Sequence, residues 1–179
     1  LSSIYGLNFS NETGGLIGAT LDQGRYYGVG VSSAGKGYCM GGNNFSIPFS
    51  SIYGLNFSNE TGGLIGATLD QGRAVGVGVS SAGKGYCMGG YTGSSTLSSI
   101  YGLNFSNETG GLIGATLDQG RYSGAGVSSA GKGYCMGGFN GSSYLTSIFG
   151  LNFSTETGGL IGATLDQGRF GGAGIQGVG

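Results

Sequence analysis

Thiols, carboxylates, ammonium and guanidinium groups are the chemistry-bearing side chains of this chain, and each recurs at a fixed interval. Cys39, Cys87 and Cys135 lie 48 residues apart, each inside Gly-Lys-Gly-Tyr-Cys-Met-Gly-Gly at 35–42, 83–90 and 131–138. Glu12, Glu60, Glu108 and Glu156 keep the same interval, as do Asp22, Asp70, Asp118 and Asp166 with Arg25, Arg73, Arg121 and Arg169. Paired carboxylates are the raw material of glycoside hydrolysis. Catalysis, however, needs one asymmetric constellation, and here every copy offers the same groups. Histidine is absent. That removes the commonest general base and metal ligand and excludes a serine or cysteine nucleophile assisted by histidine. The chain is therefore read as a non-enzyme, with no catalytic residues, no metal site and no cofactor. One cysteine per unit and an odd total do not make a disulfide framework. The thiols are expected to be small buried hydrophobes; in stacked repeats they could come close enough to pair.

The elements that carry these groups are repeats. The 24 residues from Ser2 to Arg25 recur unchanged at Ser50 to Arg73 and Ser98 to Arg121, and Thr146 to Arg169 differs only at Thr146, Phe149 and Thr155. A period of this length indicates a repeat architecture. The units are taken as 1–49, 50–97, 98–145 and 146–179, forming a single repeat domain. In the second unit, short apolar runs at Ser51–Phe57, Leu64–Leu69, Val75–Ser80 and Gly85–Met88 are separated by Asn-, Asp-, Ser- and Gly-rich turns. Such spacing predicts an all-β fold. Glycine, 45 of 179 residues, interrupts every window that could hold a helix, at ~1 kcal/mol each relative to alanine. In Ile4-Tyr5-Gly6-Leu7-Asn8-Phe9 both faces carry apolar groups, so the strand must be covered on both sides. A single repeat cannot supply that cover; neighbouring repeats can.

Composition excludes several classes. Glycine richness suggests disorder, but 11 Tyr, 9 Phe and only 8% charged residues argue for a packed chain. A net charge of −1 without a basic tract lacks the footprint of a nucleic-acid binder. No apolar run approaches the ~20 residues of a membrane-spanning helix, so membrane insertion is not expected. Few charges with many Gly, Ser, Asn and Tyr favour an extracellular, cell-surface or virion setting. Asn8, Asn11, Asn44 and Asn140 fit the glycosylation pattern, which matters only in a secreted eukaryotic chain.

The residues resemble the kelch repeat. Tyr86-Cys87-Met88-Gly89-Gly90 matches the family's Gly-Gly strand, Ser99 to Phe105 the strand after the variable loop, and Arg121 with Gly124-Ala125-Gly126-Val127 the arginine and innermost strand. The family's tryptophan is absent; Leu64 or Ile65 stands in its place. The resemblance implies a β-propeller of four-stranded antiparallel blades. Fifteen strands are expected in 179 residues, one short of four blades. A piece of a longer ring, an imperfect closure and completion by another subunit all fit that count. A β-solenoid or stacked-repeat filament is the alternative architecture.

In an up-and-down meander, successive turns alternate between two ends. The Ser-Ala-Gly-Lys and Asn-Glu-Thr-Gly turns share one face, which is nearly invariant among copies. The loops after Gly-Gly and the Asp-Gln-Gly-Arg connections share the other, where almost all variation lies. Loops on a rigid scaffold are where binding usually resides, and aromatic side chains make good contact surface. Tyr26, Tyr27, Asn44, Phe45, Tyr91, Thr92, Tyr122, Phe139, Asn140 and Tyr144 are the candidate binding residues. The expected partner is carbohydrate or a protein surface, with self-association a further expectation. The expected function is recognition or adhesion; the alternative is a structural extracellular filament or fibre component. The charges are expected to be structural pairs, although a ring of arginines around a channel could bind an anion.

Overall fold

The computed structural model describes residues 2–129 and 131–174. It is all-β: fourteen strands form four antiparallel sheets, one of two strands and three of four. Strands β1 (Ser3–Asn8) and β2 (Thr13–Thr20) make the small sheet. The first four-stranded sheet is the meander β3 (Val29–Ser32), β4 (Lys36–Met40), β5 (Ser51–Asn56), β6 (Gly62–Thr68). The same meander recurs as β7 (Val77–Ser80), β8 (Lys84–Met88), β9 (Ser99–Asn104), β10 (Thr109–Thr116), then as β11 (Ala125–Ser128), β12 (Lys132–Met136), β13 (Ser147–Asn152), β14 (Thr157–Thr164). Each four-stranded sheet straddles a boundary between the sequence units, because the Gly-Gly strand of one unit pairs with the Ser-Ile-Tyr/Phe-Gly-Leu-Asn strand of the next.

Register is the same in every copy. Lys36 faces Asn56 and Met40 faces Ile52 across β4 and β5; Lys84 with Asn104, and Lys132 with Asn152, repeat the pairing. Across β5 and β6, Tyr53 faces Leu64 and Leu55 faces Gly62. The strand thus begins two residues earlier than the expected Leu64. Gly62 belongs in it because a Cβ there would sit 2.5 Å from the Tyr53 hydroxyl oxygen: the tyrosine ring lies where a side chain would be.

The core lies between sheets. Val29, Val31, Tyr38, Met40, Ile52 and Leu69 pack with Cys87, Tyr101 and Leu103 of the following sheet. Val77, Val79, Tyr86, Met88, Ile100 and Leu117 pack likewise with Cys135, Phe149 and Leu151. Ile100 and Tyr101 are consecutive, so they point to opposite faces, yet both are buried. The middle strands are covered on both sides, as their two-sided apolar sequence requires. Burial of an Ile or Leu side chain is worth roughly 1.5–3 kcal/mol, and here the gain depends on neighbouring repeats.

The first strands of successive sheets stand side by side. Their approach is set by glycine: a Cβ on Gly78 would lie 2.3 Å from the Gly30 carbonyl oxygen, and one on Gly126 would lie 2.2 Å from that of Gly78. The Gly-Gly pairs have a second cause. Gly89 and Gly90 take φ of 63° and 116°, a region other residues enter at a cost. That turn lets the Gly90 amide donate to the Arg121 carbonyl oxygen at 2.9 Å, joining one sheet to the connection leading into the next.

No helix among the described residues is long and apolar enough to cross a membrane. Among them there is also no group of three or more His, Cys, Asp or Glu side chains placed to hold a metal ion.

Candidate functional site

The variable loops at 43–49, 91–97 and 139–145 are rigidified locally. Asn44 Oδ1 accepts the amides of Ser46 and Ile47 at 3.1 and 3.2 Å. Thr92 Oγ1 accepts the Ser95 amide at 3.1 Å. Asn140 Oδ1 accepts those of Ser142 and Ser143 at 2.9 and 2.8 Å, while its Nδ2 donates to Gln119 Oε1 at 2.8 Å. Side chains of this kind mimic a backbone turn. Asn44, Thr92 and Asn140 therefore hold loops in shape.

Each loop is tied to the connection beside it by an isolated antiparallel bridge: Tyr26 with Asn43, Ala74 with Tyr91, Tyr122 with Phe139. These bridges bring the aromatic residues into two groups. Tyr26 lies 4.2 Å from Phe45 between ring centroids and 6.5 Å from Tyr27. The second group is larger. Tyr122 contacts Tyr91 at 5.3 Å, Phe139 at 5.7 Å edge-on, and Phe170 at 5.9 Å edge-on. Phe139 and Tyr144 approach to 5.2 Å, and Phe170 meets both. Ala74, buried, stands where Tyr26 and Tyr122 stand in other copies. Phe170 is the residue that the sequence reading left out of the candidate set. It directly follows Arg169, as Tyr26 follows Arg25 and Tyr122 follows Arg121, and that equivalence was the available signal.

Beneath the aromatics runs a backbone chain. Val75 donates its amide to the Tyr27 carbonyl oxygen at 2.9 Å, Ser123 to that of Val75 at 2.8 Å, and Gly171 to that of Ser123 at 2.8 Å. All four residues have φ between 55° and 70°. The variable position is thus a left-handed position.

The arginines do not form an open anion ring. Arg73 and Arg121 are fully buried and Arg25 nearly so. Arg73 Nη1 donates to the Gly89 and Ser99 carbonyl oxygens at 3.0 and 3.3 Å, and Nη2 to Ser99 Oγ and Asp70 Oδ1. Arg121 repeats these bonds on Gly137, Ser147 and Asp118, and Arg25 on Gly41, Ser51 and Asp22. Arg169, paired with Asp166, is exposed.

On the opposite face the charges pair across sheets. Lys36 Nζ donates to Glu108 Oε1 at 2.8 Å and the Tyr38 hydroxyl to the same oxygen at 3.1 Å. Lys84 and Tyr86 share Glu156 in the same way. Burial, then the bond to Glu108 and its charge, push the Tyr38 phenol up to about 12; Tyr86 is raised by burial and Glu156. All three cysteines are free thiols. Burial pushes Cys87 up to about 11 and Cys135 up to about 12, so neither is poised as a nucleophile.

No family model matches the chain, and no curated protein matches it. Among solved structures it is similar to one described as "Structure of YjhT", with a TM-score of 0.77 and 17% sequence identity over 97% of this chain and 67% of that one. The likeness at that identity is one of fold.

Proposed function

We propose that this chain is a non-enzymatic recognition module, a kelch-like propeller of four-stranded blades that presents its variable face to carbohydrate or protein on a cell surface or virion appendage. Two observations support the architecture. The four-stranded meanders repeat in identical register, and their first strands stand side by side.

The observation that carries the recognition reading is the gathering of Tyr91, Tyr122, Phe139, Tyr144 and Phe170 on the one face where repeats differ. Tyr144 and Phe170 remain more than half exposed while touching each other. Tyrosine interleaved with Ser, Gly and Asn is the composition of adaptable binding loops, and rigid aromatics give contact area at low entropic cost. The test is retention of the chain on an immobilised panel of neutral and acidic oligosaccharides and of extracellular matrix proteins. Retention by some member, lost in Tyr144→Ala and Phe170→Ala, is expected. No retention anywhere, or retention that both variants keep, overturns the reading.

A structural filament is the second reading. The outermost strands carry no charge or proline, and Leu16, Leu64, Leu112 and Leu160 stand exposed along them. Uncharged strand edges invite pairing with another chain. Threads that lengthen with concentration in negative-stain electron micrographs would favour it; discrete particles would sink it.

A further inference from the structure

We propose that the cleft between the β5–β6 hairpin and the β9–β10 turn is a binding pocket for one uncharged sugar ring, a neutral hexopyranose, and that the cleft between the β9–β10 hairpin and the β13–β14 turn is a second copy of it. Both lie on the face opposite the variable loops and do not depend on how that face is read.

The two clefts agree in lining and size. The first, of about 290 Å³, has Lys36, Asn56, Gly63, Ile65 and Glu108 in its walls. The second, of about 280 Å³, has Lys84, Asn104, Gly111, Ile113 and Glu156, the residues 48 positions on. Pockets for drug-sized ligands run roughly 300–1,000 Å³, so each cleft suits one small ring. Asn56 pairs with Lys36 and Gly63 with Gly54 across the sheet, and residues two apart along a strand share a face. Lys36, Gly54, Asn56, Gly63 and Ile65 therefore look out on one side of their sheet, towards Glu108 of the next, which Lys36 holds. Gly63 and Gly111 keep the clefts open. A Cβ on either would meet no atom within 4 Å, and neither takes a positive φ. Gly62 differs, since a Cβ there would strike Tyr53. Neither packing nor backbone conformation calls for glycine at 63 and 111, and one use of a glycine inside a strand is to let a ligand come close.

The polar groups of the cleft suit hydroxyls. Asn56 Oδ1 accepts the Ser58 amide and hydroxyl at 2.9 and 2.8 Å, which fixes the carboxamide and, among the described residues, leaves its Nδ2 without a partner. Glu108 Oε1 accepts from both Lys36 and Tyr38, which leaves Oε2 without a partner among the described residues. Lys36 Nζ spends one of its three donors on that bond. Asn104, Glu156 and Lys84 repeat the arrangement. Two kinds of donor and one acceptor thus line a single small cleft. A sugar hydroxyl both donates and accepts, so neighbouring hydroxyls meet both. The Lys36–Glu108 pair is neutral as a whole. An anionic ligand would have to displace Glu108 from Lys36, and a cationic one Lys36 from Glu108, so the cleft favours an uncharged ligand. Leu64, which is exposed, and Ile65, which is half-buried, add apolar wall for the C–H face of the ring. Internal bonds hold the polar groups in place beforehand, so little ordering is left for binding to pay.

The test is saturation-transfer difference NMR on the full chain with methyl α-D-glucopyranoside, methyl α-D-mannopyranoside and methyl α-D-galactopyranoside. At least one should give a signal that saturates in the millimolar range, as one small open pocket allows, and should shift the amides of Gly63 and Gly111 in amide correlation spectra. Gly63→Val combined with Gly111→Val fills both clefts. It should abolish the signal and leave Tm unchanged or higher, because the new side chains meet open space. Asn56→Asp combined with Asn104→Asp keeps the turn-holding Oδ1 and removes the Nδ2 donor, so the dissociation constant should rise about tenfold or more. If the valine pair lowers Tm, the aspartate pair decides. No signal from any of the three glycosides, binding that the aspartate pair leaves unweakened, or binding that survives in a folded valine pair overturns the proposal. So do amide shifts confined to loops 91–97 and 139–145, which would assign sugar binding to the variable face instead.

Discussion

The Arg73 guanidinium donates to the Gly89 carbonyl oxygen at 3.0 Å, while the Arg73 carbonyl oxygen accepts from the Gly42 amide at 2.9 Å. One residue thus fastens the sheet β3–β6 by its backbone and the sheet β7–β10 by its side chain. The geometry needs a planar fork, because Nη1 and Nη2 reach different acceptors. Lysine offers a single charged centre and cannot reproduce it. Arg73→Ala is expected to cost about 3–5 kcal/mol, the range for breaking a buried charge pair, and Arg73→Lys to recover little of it. Urea denaturation of both, beside Arg169→Ala at the exposed counterpart, checks this. A loss for Arg73→Ala no larger than for Arg169→Ala would refute the fastening role.

Val75 holds φ of 59°, unfavourable for a β-branched residue. It does so because its amide and carbonyl are links in the chain of bonds from Tyr27 to Gly171. The equivalent position in the last copy, Gly171, is already glycine. Strain of this kind is worth ~1–3 kcal/mol, offset in part by the greater freedom glycine gives the unfolded chain. Val75→Gly is expected to raise Tm by about 2–4 °C, the shift that ~1 kcal/mol produces in a domain of this size. A fall in Tm would show that the position is not strained.

Much of the architecture was legible because the sequence states it four times. The strand pattern, the two-sided cover and the sharing of faces by turns all follow from one unit and the requirement that each copy meet the same surroundings. The phase was harder to read. A repeat can be cut anywhere in its period, and only register shows that Tyr38 pairs with Gly54 across the boundary at 50. The role of arginine was also hidden: Asp-Gln-Gly-Arg reads as a polar turn, and nothing local shows that the guanidinium turns inward onto Gly-Gly carbonyls. On the variable face, sequence offered aromatic residues but not which of them meet. Tyr122 touches Phe170, 48 residues away, while Tyr26 and Tyr27 keep to a separate group with Phe45.

The buried thiols and Tyr38 make the fold sensitive to alkali. Cys87 rises from its ordinary 9.0 to about 11 and Tyr38 from 10.0 to about 12, each chiefly by burial. A group whose folded pKa lies above its unfolded one favours folding below the unfolded value and loses that contribution as pH rises towards the folded one. Stability should therefore hold level up to about pH 9 and fall between about pH 9 and 12, as the unfolded chain ionises first. Cys87→Ala should flatten the first part of that fall, whatever it does to stability at pH 7. Denaturation midpoints at a series of alkaline pH values give the slope. An unchanged slope in the variant would assign the alkaline loss elsewhere. Iodoacetamide at pH 8 should label Cys39, which is only partly buried, well before Cys87 or Cys135.

Glu108 and Glu60 occupy the same place in their repeats but differ in partners. Glu108 accepts from Lys36 and Tyr38; Glu60 has no cationic partner among the described residues. Lys36 is 43% exposed in that pair, so the ion pair itself contributes about 0–1 kcal/mol, less at high salt. Glu108→Gln should lower stability by that small amount, and the loss should shrink as salt is added. It should also let Tyr38 ionise below about 12, since the charge of Glu108 is removed while burial and an acceptor for the hydroxyl remain. Tyr86, held by Glu156, should not move. A site-resolved NMR titration of the tyrosine rings distinguishes the two. Glu60→Gln should leave both the denaturation midpoint and the Tyr38 titration where they were. If it destabilises the chain as much as Glu108→Gln does, then Glu60 already serves a structural contact.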